Sequence, residues 1–596
     1  MKRTFKSMTA MFLSLVMVLG LLAGCGKQNQ PSPDDSTPNT GNEERQPLPV
    51  LEHDTYNNAA IGYEAAVVSA NKYTSQIGMD ILKKGGNAVD AAVAMIFANS
   101  LTEPGATTIG GAMFMTIWLK ETNEYICIEG METAPAAAGI DTLDYINETG
   151  GAALVTVPGQ VHGALSALEK YGTMTREEVL MPVVELAENG FEVFTSFEER
   201  ASSAYDKLIA TDEAAKVYTN DGLPYAIGDH FTNPDYANTV RKIIDGGIDE
   251  FYKGSIAQTI VDYVQSQGGL LTMEDMANYT SVEREPISTT YHGYEVITHN
   301  APSNGGAPML EFLNILEQYD LQGMSYNTPE YLFTFNEAYR LIMADGLTYF
   351  GDPDFYNLPI ETIISKEYAK QRVEEDMPKG TTINPELIAG RDLPFEKIAD
   401  FDSNESIDTT HISVIDEFGN MVSCTHTIGG YFGSCLVAPG TGFALNAHLS
   451  NQKLDIAQKD NPNFVQGGLR VMSTMAPTLV VKDGEPVMAI GSPGSWCIPC
   501  SIVQIINACL LFGKDLQEAI NEPRAMFTSY KKPTTLTVEP RLSYATVKAL
   551  ENYGYSVNAS KDWNTSLGSV GCVWKTDDGF VYAGGDQRRQ YQSLAY

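Results

Sequence analysis

The chain has 596 residues, of which 43% are hydrophobic and 10% aromatic. A chain of this length and composition can bury a large core, which excludes a wholly disordered protein. Its 39 Lys and Arg residues against 75 Asp and Glu residues give a net charge of −36. Such a charge repels nucleic acid and anionic lipid headgroups, so we expect neither as a partner.

The N-terminus predicts export and attachment to a membrane. Lys2 and Arg3 precede an apolar run over residues 8–22, which is typical of a signal peptide and too short for a stable membrane span. The segment 22-LAGC-25 resembles a bacterial lipobox, which implies a signal peptide over 1–24 and a lipid on Cys25. An ordinary secretory signal is the alternative. Residues 25–52 then predict a flexible linker, so we expect an extracytoplasmic protein held by lipid at a bacterial cell membrane.

Apolar residues at helical spacing dominate the first part of the chain. Residues 74–100 predict two helices separated at Gly85 and Gly86. A TxxE start and an exit at Gly190 predict a helix within 175–193, and residues 329–353 predict a longer amphipathic helix. Strand patterns take over near residue 409, so a mixed first part precedes a second part that is richer in strands.

Cysteine and histidine patterns argue against a disulfide framework, a metal site or a cofactor. Seven cysteines besides Cys25 are sparse in so long a chain. They are Cys127, Cys424, Cys435, Cys497, Cys500, Cys509 and Cys572. The segment 496-WCIPC-500 resembles a redox motif but follows a turn-rich stretch instead of a βαβ unit. The eight histidines lack paired ligand spacing, so we expect no metal.

Residues 409–427, TTHISVIDEFGNMVSCTHT, predict a β-hairpin. The turn runs from Asp416 to Asn420, with Gly419 in the left-handed conformation. Counting back from the turn gives three opposed pairs: Thr409 with Thr427, His411 with Thr425, and Ser413 with Ser423. One face of the hairpin is therefore almost entirely hydroxyl and imidazole. Such a face is compatible with a solvated side of an antiparallel sheet and also with catalysis.

Thr409 can become a self-sufficient nucleophile if the bond between Asp408 and Thr409 is cut. The cut gives Thr409 a free α-amine beside its own hydroxyl. That amine titrates near pH ~8, so at neutral pH it can act as the general base that an unassisted hydroxyl lacks. Thr427, on the opposite strand, can donate a hydrogen bond that orients the Thr409 hydroxyl.

The hairpin resembles the start of the small subunit in the γ-glutamyltranspeptidase family of N-terminal-nucleophile hydrolases. Further motifs of that family follow in order along the chain from about residue 55 to the C-terminus. They are 84-KGGNAVDAAVA-94, 108-TIGGAMFM-115, 132-ETAPAAAG-139, 155-VTVPGQVHG-163, 302-PSNGGAP-308, 349-YFGDPDF-355, 436-LVAPGTGFALN-446, 473-STMAPT-478 and 491-GSPGS-495.

The resemblance implies a proenzyme of the α+β class, folded as a four-layer αββα sandwich. It implies self-cleavage into a large subunit, residues 53–408, and a small subunit, residues 409–596, which stay together as a heterodimer. Thr409 would attack the amide of a γ-glutamyl donor such as glutathione, form an ester, and pass the acyl group to water or an amine.

The resemblance also implies roles for individual residues. Gly494 and Ser495 would supply backbone N–H groups to an oxyanion hole, where fixed donors stabilise developing negative charge. Ser473 and Thr474 match a pair that binds the α-carboxylate of the donor.

Three positions depart from the family pattern. Met131 stands where the family has an arginine for the donor α-carboxylate, and Asn451 stands where it has an acidic residue for the α-ammonium group. Gly429 replaces an asparagine that often follows Thr427. Loss of two charge-assisted contacts weakens recognition of glutamate, because such contacts are stronger than neutral hydrogen bonds. Arg470 or Arg340 are candidates to replace the missing positive charge.

Two alternatives to a γ-glutamyl donor remain. The same mechanism could act on another acyl amide, such as a dicarboxylic acyl amide or poly-γ-glutamate, although a net charge of −36 disfavours a polyanionic substrate. A binding lipoprotein without catalytic activity is the other alternative, but binding alone does not require Thr409, Thr427 and the glycine loop.

Overall fold

Two stacked antiparallel sheets, each of seven strands, form the centre of the fold in the computed structural model. The structure describes Leu48, residues 58–391, Leu393 and residues 408–596. The predicted signal peptide and Cys25 lie outside the described residues, as does nearly all of the predicted linker. Within the described ranges, no helix is both long and apolar enough to cross a membrane.

The first sheet contains the predicted hairpin at its centre. Its strands are β2 (Ala66–Ser69), β3 (Ala112–Leu119), β4 (Glu124–Gly130), β7 (Val282–Arg284), β10 (Thr410–Ile415), β11 (Met421–Thr427) and β19 (Gln592–Ala595). They are arranged in the order β19-β2-β10-β11-β3-β4-β7. Strands from both sides of residue 408 therefore pair within one sheet.

The second sheet also combines strands from both sides of residue 408. Its strands are β1 (Ala60–Gly62), β8 (Ile287–Tyr291), β9 (Tyr294–Thr298), β12 (Thr478–Lys482), β13 (Glu485–Gly491), β17 (Gly571–Lys575) and β18 (Val581–Gly585). They are arranged in the order β1-β18-β17-β13-β12-β9-β8. Five short strands lie in two smaller sheets: β5 (Phe191–Glu192), β6 (His230–Phe231), β14 (Ala525–Phe527), β15 (Thr535–Val538) and β16 (Ser556–Ala559).

Helices cover the outer face of each sheet. The first ten in chain order are α1 (Lys72–Lys83), α2 (Ala88–Thr102), α3 (Leu143–Thr149), α4 (Gln160–Tyr171), α5 (Arg176–Asn189), α6 (Thr195–Leu208), α7 (Asp212–Tyr218), α8 (Pro234–Tyr252), α9 (Ser255–Ser266) and α10 (Met273–Asn278). They are followed by α11 (Gly306–Leu316), α12 (Leu321–Met324), α13 (Pro329–Thr348), α14 (Ile360–Ile363), α15 (Lys366–Glu375), α16 (Cys497–Leu510), α17 (Leu516–Asn521) and α18 (Tyr544–Asn552).

Three apolar clusters separate the four layers. Helices α1, α2, α4, α5 and α8 pack on the first sheet in one cluster, and α11, α13, α16 and α17 pack on the second sheet in another. A smaller cluster, which includes Val68, Trp118, Leu479 and Val573, lies between the two sheets. This arrangement is the predicted αββα sandwich.

The helix boundaries follow the local sequence signals. Helix α1 ends at Lys83, Gly85 has a φ of +90°, and α2 begins at Ala88. Helix α5 begins with a capping box in which the Thr175 side chain and Glu178 satisfy each other's backbone N–H groups. The predicted break at Gly85 and start after Thr175 are therefore confirmed.

Candidate active site

The hairpin of β10 and β11 places Thr409 at the edge of a cavity. His411 faces Thr425 and Ser413 faces Ser423, as predicted from the turn. Gly419 in that turn has a φ of +90°, which a glycine adopts without strain. Thr409 immediately precedes β10, and its Oγ1 lies 3.1 Å from Oγ1 of Thr427.

The hydroxyl face of the hairpin is buried against the second sheet and is not solvated. Ser423 Oγ donates a hydrogen bond to the carbonyl of Ile490 at 2.9 Å. Both ring nitrogens of His411 are within hydrogen-bond distance of hydroxyls, at 2.9 Å from Thr425 and 2.8 Å from Ser413. Burial lowers the pKa of His411 to about 3, so the imidazole is neutral. Ser423 therefore joins the two sheets, His411 joins hydroxyls within the hairpin, and the end of the hairpin reaches the cavity.

A chain of hydrogen bonds joins the Thr409 hydroxyl to the peptide bond that precedes it. Thr409 Oγ1 donates to Thr427 Oγ1 at 3.1 Å, and Thr427 Oγ1 donates to the carbonyl oxygen of Asp408 at 2.8 Å. Thr427 therefore contacts both the predicted nucleophile and the predicted scissile carbonyl. A donor at that carbonyl stabilises the negative charge that attack would place on its oxygen.

Buried charges fix the backbone at the start of β10. The guanidinium of Arg589 donates to the carbonyl of Thr409. Glu103, at the C-terminal end of α2, accepts a hydrogen bond from Thr410 Oγ1 at 2.7 Å and forms an ion pair with Arg200 at 3.0 Å. Burial, aided by the nearby charge of Arg200, lowers the pKa of Arg589 to about 10. These groups hold the backbone beside the nucleophile in place.

Eight residues singled out from the sequence line one cavity of about 70 Å³. They are Asp408, Thr409, Thr427, Gly429, Asn451, Ser473, Thr474 and Ser495. They come from the hairpin, from a short 3₁₀ turn over His448–Asn451, and from two loops that flank the second sheet. The volume is that of about two water molecules, so a peptide donor does not fit while Asp408 is in place.

Gly494 lies beside the cavity, next to Ser495. Gly494 has a φ of +131°, and a Cβ there would lie 2.9 Å from Cα of Gly568. Both conditions require glycine at this position. Ser495 has a φ of +53°, so the two residues form a tight, irregular turn before α16. Such turns expose successive backbone N–H groups, as an oxyanion hole requires.

The Ser473 and Thr474 loop is buttressed by the glycine-rich segment 302–308. The backbone N–H of Asn304 donates to the carbonyl of Ser473 at 3.0 Å. A Cβ at Gly305 would lie 2.0 Å from the carbonyl oxygen of Thr474. The absence of a side chain at Gly305 therefore lets the two loops approach closely.

Met131 and the two candidate arginines are not among the residues lining this cavity. The Met131 side chain is fully buried in the apolar cluster of the second sheet. Arg470 pairs with Glu129 at 3.2 Å, and Arg340 pairs with Glu337 at 2.7 Å. Both guanidinium groups are therefore paired with carboxylates of the protein, and replacement of the missing charge by either arginine stays a prediction.

Sequence reasoning missed a histidine that lines the cavity and a glutamate that contacts this histidine. His448 lines the cavity, and its Nδ1 lies 2.6 Å from Oε1 of Glu132, which is fully buried. The His448 ring also explains Gly429, because a Cβ at residue 429 would lie 2.4 Å from Cδ2 of His448. The position of Glu132 within the ETAP motif was a signal, but only the fold brings it to residue 448.

Asp408 lines the same cavity as His448. Its carboxylate accepts a hydrogen bond from the backbone N–H of Gly430. Burial raises the pKa of the Asp408 carboxyl to about 6, and the nearby His448 and the Gly430 N–H act in the opposite direction.

The cysteines of 496-WCIPC-500 begin helix α16. Cys497 and Cys500 are buried thiols, and burial raises the pKa of Cys497 to about 12. A thiol with such a pKa is protonated and unreactive at neutral pH. Among the described residues, no group of three or more His, Cys, Asp or Glu side chains could hold a metal ion.

Comparisons with known proteins show the family of this chain. A profile of the gamma-glutamyltranspeptidase family matches residues 74–596. The chain is 35% identical to the glutathione hydrolase proenzyme of Escherichia coli K12, over 88% of this chain and 90% of that protein. It is 33% identical to the acylase ACY 1 proenzyme of Pseudomonas sp. strain SE83, over 84% and 88%. The crystal structure of cephalosporin acylase from Bacillus halodurans superposes with a TM-score of 0.81 at 27% identity, over 93% and 99%.

Proposed function

Because this chain belongs to the gamma-glutamyltranspeptidase family of enzymes, we propose that it cleaves itself before Thr409 and then hydrolyses or transfers acyl groups from amides through an ester on Thr409. γ-Glutamyl amides such as glutathione are the first donors to test. The observation that carries the proposal is the hydrogen-bonded path from Thr409 Oγ1 through Thr427 Oγ1 to the Asp408 carbonyl oxygen, with distances of 3.1 and 2.8 Å.

Self-cleavage begins with attack of Thr409 Oγ1 on the carbonyl carbon of Asp408. Thr427 donates to the carbonyl oxygen as it becomes negative. The bond from that carbon to the Thr409 nitrogen breaks, the nitrogen takes the hydroxyl proton, and an ester joins the two residues. Water then hydrolyses the ester, which leaves a carboxylate on Asp408 and a free amine on Thr409.

The same nucleophile then acts on the donor. The Thr409 amine takes the proton from its own hydroxyl, and Oγ1 attacks the donor amide carbon. The backbone N–H groups of Gly494 and Ser495 bind the oxyanion, and the amine of the donor departs with the proton. Water or an acceptor amine attacks the resulting ester and restores Thr409.

A second candidate donor is an acyl amide that lacks the α-amino group of glutamate. Asn451, a neutral residue, lines the cavity where the family pattern has an acidic residue. Met131 is buried in the apolar core instead of presenting a charge. A dicarboxylic acyl amide without an ammonium group does not need that acidic partner. The 33% identity to an acylase proenzyme supports testing this class beside the γ-glutamyl amides.

The decisive experiment measures the intact mass of the full chain and of a Thr409→Ala variant after incubation at neutral pH. We expect two fragments, with a new N-terminus at Thr409, in the unaltered protein and one uncut chain in the variant. The processed protein is then offered γ-glutamyl and dicarboxylic acyl p-nitroanilides. An uncut and well-folded chain in both samples would refute the proposed function.

We also propose that lipid on Cys25 attaches the enzyme to the outer side of a bacterial cell membrane. The sequence 22-LAGC-25 supports this location. A Cys25→Ser variant is expected to appear in the soluble extracellular or periplasmic fraction, whereas the unaltered protein stays with membranes. Equal distribution of the two proteins would contradict the lipid anchor.

A further inference from the structure

Before cleavage, the cavity already holds the carboxylate of Asp408. Asp408 is almost completely buried, lines the cavity beside Thr409, and accepts a hydrogen bond from the N–H of Gly430. Its carbonyl carbon is the atom that Thr409 must attack. The side chain of Asp408 therefore shows where a carboxylate lies relative to a reacting acyl carbon in this site.

The imidazole of His448 forms the second half of this carboxylate environment. It lines the same cavity as Asp408, and its charge opposes the effect of burial, which raises the pKa of that carboxyl. Glu132 holds His448 from behind, with 2.6 Å between Nδ1 and Oε1. The other carboxylate oxygen of Glu132 is buried without a hydrogen-bond partner, so His448 is the group that satisfies this buried acid.

Gly429 leaves space for the His448 ring and positions the N–H group of Gly430. A side chain at residue 429 would occupy the space of the His448 ring, since its Cβ would lie 2.4 Å from Cδ2. The φ of +77° at Gly429 also turns the backbone so that the next N–H, that of Gly430, meets the Asp408 carboxylate. His448, Gly429 and the N–H group of Gly430 therefore form one continuous environment for a carboxylate.

We infer that Gly430 N–H and His448, backed by Glu132, form a carboxylate-binding subsite that Asp408 occupies in the precursor and that a carboxylate of the donor acyl group occupies after cleavage. This inference rests on the proposed function. It specifies the substrate class: amides whose acyl group carries a carboxylate at the distance found in succinyl or aspartyl groups.

The covalent structure of Asp408 indicates the length of the acyl group that fits this subsite. Its side-chain carboxylate is separated from the reacting carbonyl carbon by Cα and Cβ, as in a succinyl group. A γ-glutamyl group has one more carbon between these two positions. The subsite requires no ammonium group on the donor, which agrees with the neutral Asn451 in the cavity wall.

The test compares two p-nitroanilides of equal size, one with a succinyl group and one with the neutral succinamoyl group. For the processed enzyme, kcat/KM is expected to be about tenfold higher for the succinyl donor, because a charge-assisted contact replaces a neutral one. His448→Leu removes the imidazole, and Glu132→Gln keeps the side-chain shape but removes the charge behind His448. Both variants are expected to bring the ratio close to one. His230→Leu, at an exposed histidine on β6, is the matched control.

Calorimetric binding of succinate and succinamide to the same proteins separates the two hypotheses. Hydrolysis of γ-glutamyl p-nitroanilide with a succinyl to succinamoyl ratio near one in the unaltered enzyme would overturn the subsite and leave the proposed function standing. If the processed chain hydrolyses no amide, the proposed function fails, and binding of succinate that is lost in His448→Leu still supports the subsite. Equal affinity for succinate and succinamide would overturn it. If His448→Leu does not fold, Glu132→Gln decides both comparisons.

Discussion

Replacement of Thr427 by valine tests whether its hydroxyl drives self-cleavage. Valine keeps the branched shape that suits β11 and removes only the hydroxyl. That hydroxyl accepts from Thr409 Oγ1 at 3.1 Å and donates to the Asp408 carbonyl at 2.8 Å. Each neutral hydrogen bond contributes about 0.5–1.5 kcal/mol, and a donor at a developing oxyanion contributes about 2.7–4 kcal/mol. A loss of about 1.5–2.7 kcal/mol, from the top of the first range to the bottom of the second, predicts that Thr427→Val slows cleavage roughly 10- to 100-fold.

The assay follows conversion of newly synthesised full-length chain into two fragments by gel electrophoresis and intact mass. Thr427→Ser keeps the hydroxyl and is the matched control, so we expect it to cleave within a few-fold of the original rate. Thermal unfolding of both variants on a Thr409→Ala background shows whether they fold alike. Cleavage of Thr427→Val at the unaltered rate would refute the role of the hydroxyl, as would equal slowing of the serine and valine variants.

Three further predictions concern charge, thiols and pH. Asn451→Asp is expected to raise the preference for γ-glutamyl over succinyl p-nitroanilide about tenfold, because it adds a charged partner for the donor ammonium group; an unchanged ratio of kcat/KM would contradict this. Cys497 and Cys500 are expected to react with a thiol reagent only after denaturation, since both are buried thiols; rapid reaction of the native protein would contradict this. Burial raises the pKa of Asp408 to about 6, compared with about 3.9 in an unfolded chain, so the folded precursor favours the protonated carboxyl. The contribution of this carboxyl to the free energy of unfolding is therefore complete below pH ~4 and is lost as the pH rises through ~6. A Thr409→Ala precursor should therefore lose more stability between pH 4 and pH 7 than the same precursor with Asp408→Asn, by at most about 3 kcal/mol in thermal or urea unfolding; parallel pH profiles would contradict this.

The hairpin shows how much of the site local sequence can predict. A turn with glycine at its left-handed position fixes the register, and the register fixes every opposed pair, including Ser413 with Ser423. The same pattern could not distinguish a solvated face from a buried one. That distinction depends on the second sheet, whose carbonyl at Ile490 accepts the hydrogen bond from Ser423.

Contacts between side chains and groups far apart in the chain could not be predicted from the sequence. His448 and Glu132 are 316 residues apart in the chain, yet their side chains are in contact. Arg589 and Thr409 are likewise distant in sequence and joined only by the fold. Periodicity and turn chemistry describe neighbours within an element, and they carry no information about which buried acid will meet which base.

Met131 shows why a departure from a family motif does not by itself define a pocket. It stands where the family has an arginine for the donor α-carboxylate. In the structure, the apolar side chain at that position packs into the core of the second sheet, because burial of its surface stabilises the fold. A substitution of a polar residue by an apolar one can therefore withdraw the side chain from a site and leave other groups to define its wall.

The division between strands and loops explains how the acyl pocket can change while the nucleophile is kept. Thr409 immediately precedes the central strand β10 and Thr427 ends the central strand β11, so a shift of either strand would disturb the backbone pairing of the first sheet. His448 and Asn451 lie on a short 3₁₀ turn, and Gly429 follows the end of β11. Substitutions in these turns alter the cavity wall without changing the register of the sheet. The proposed carboxylate subsite lies entirely on this adaptable side, so donor preference can vary among related chains that share one reaction.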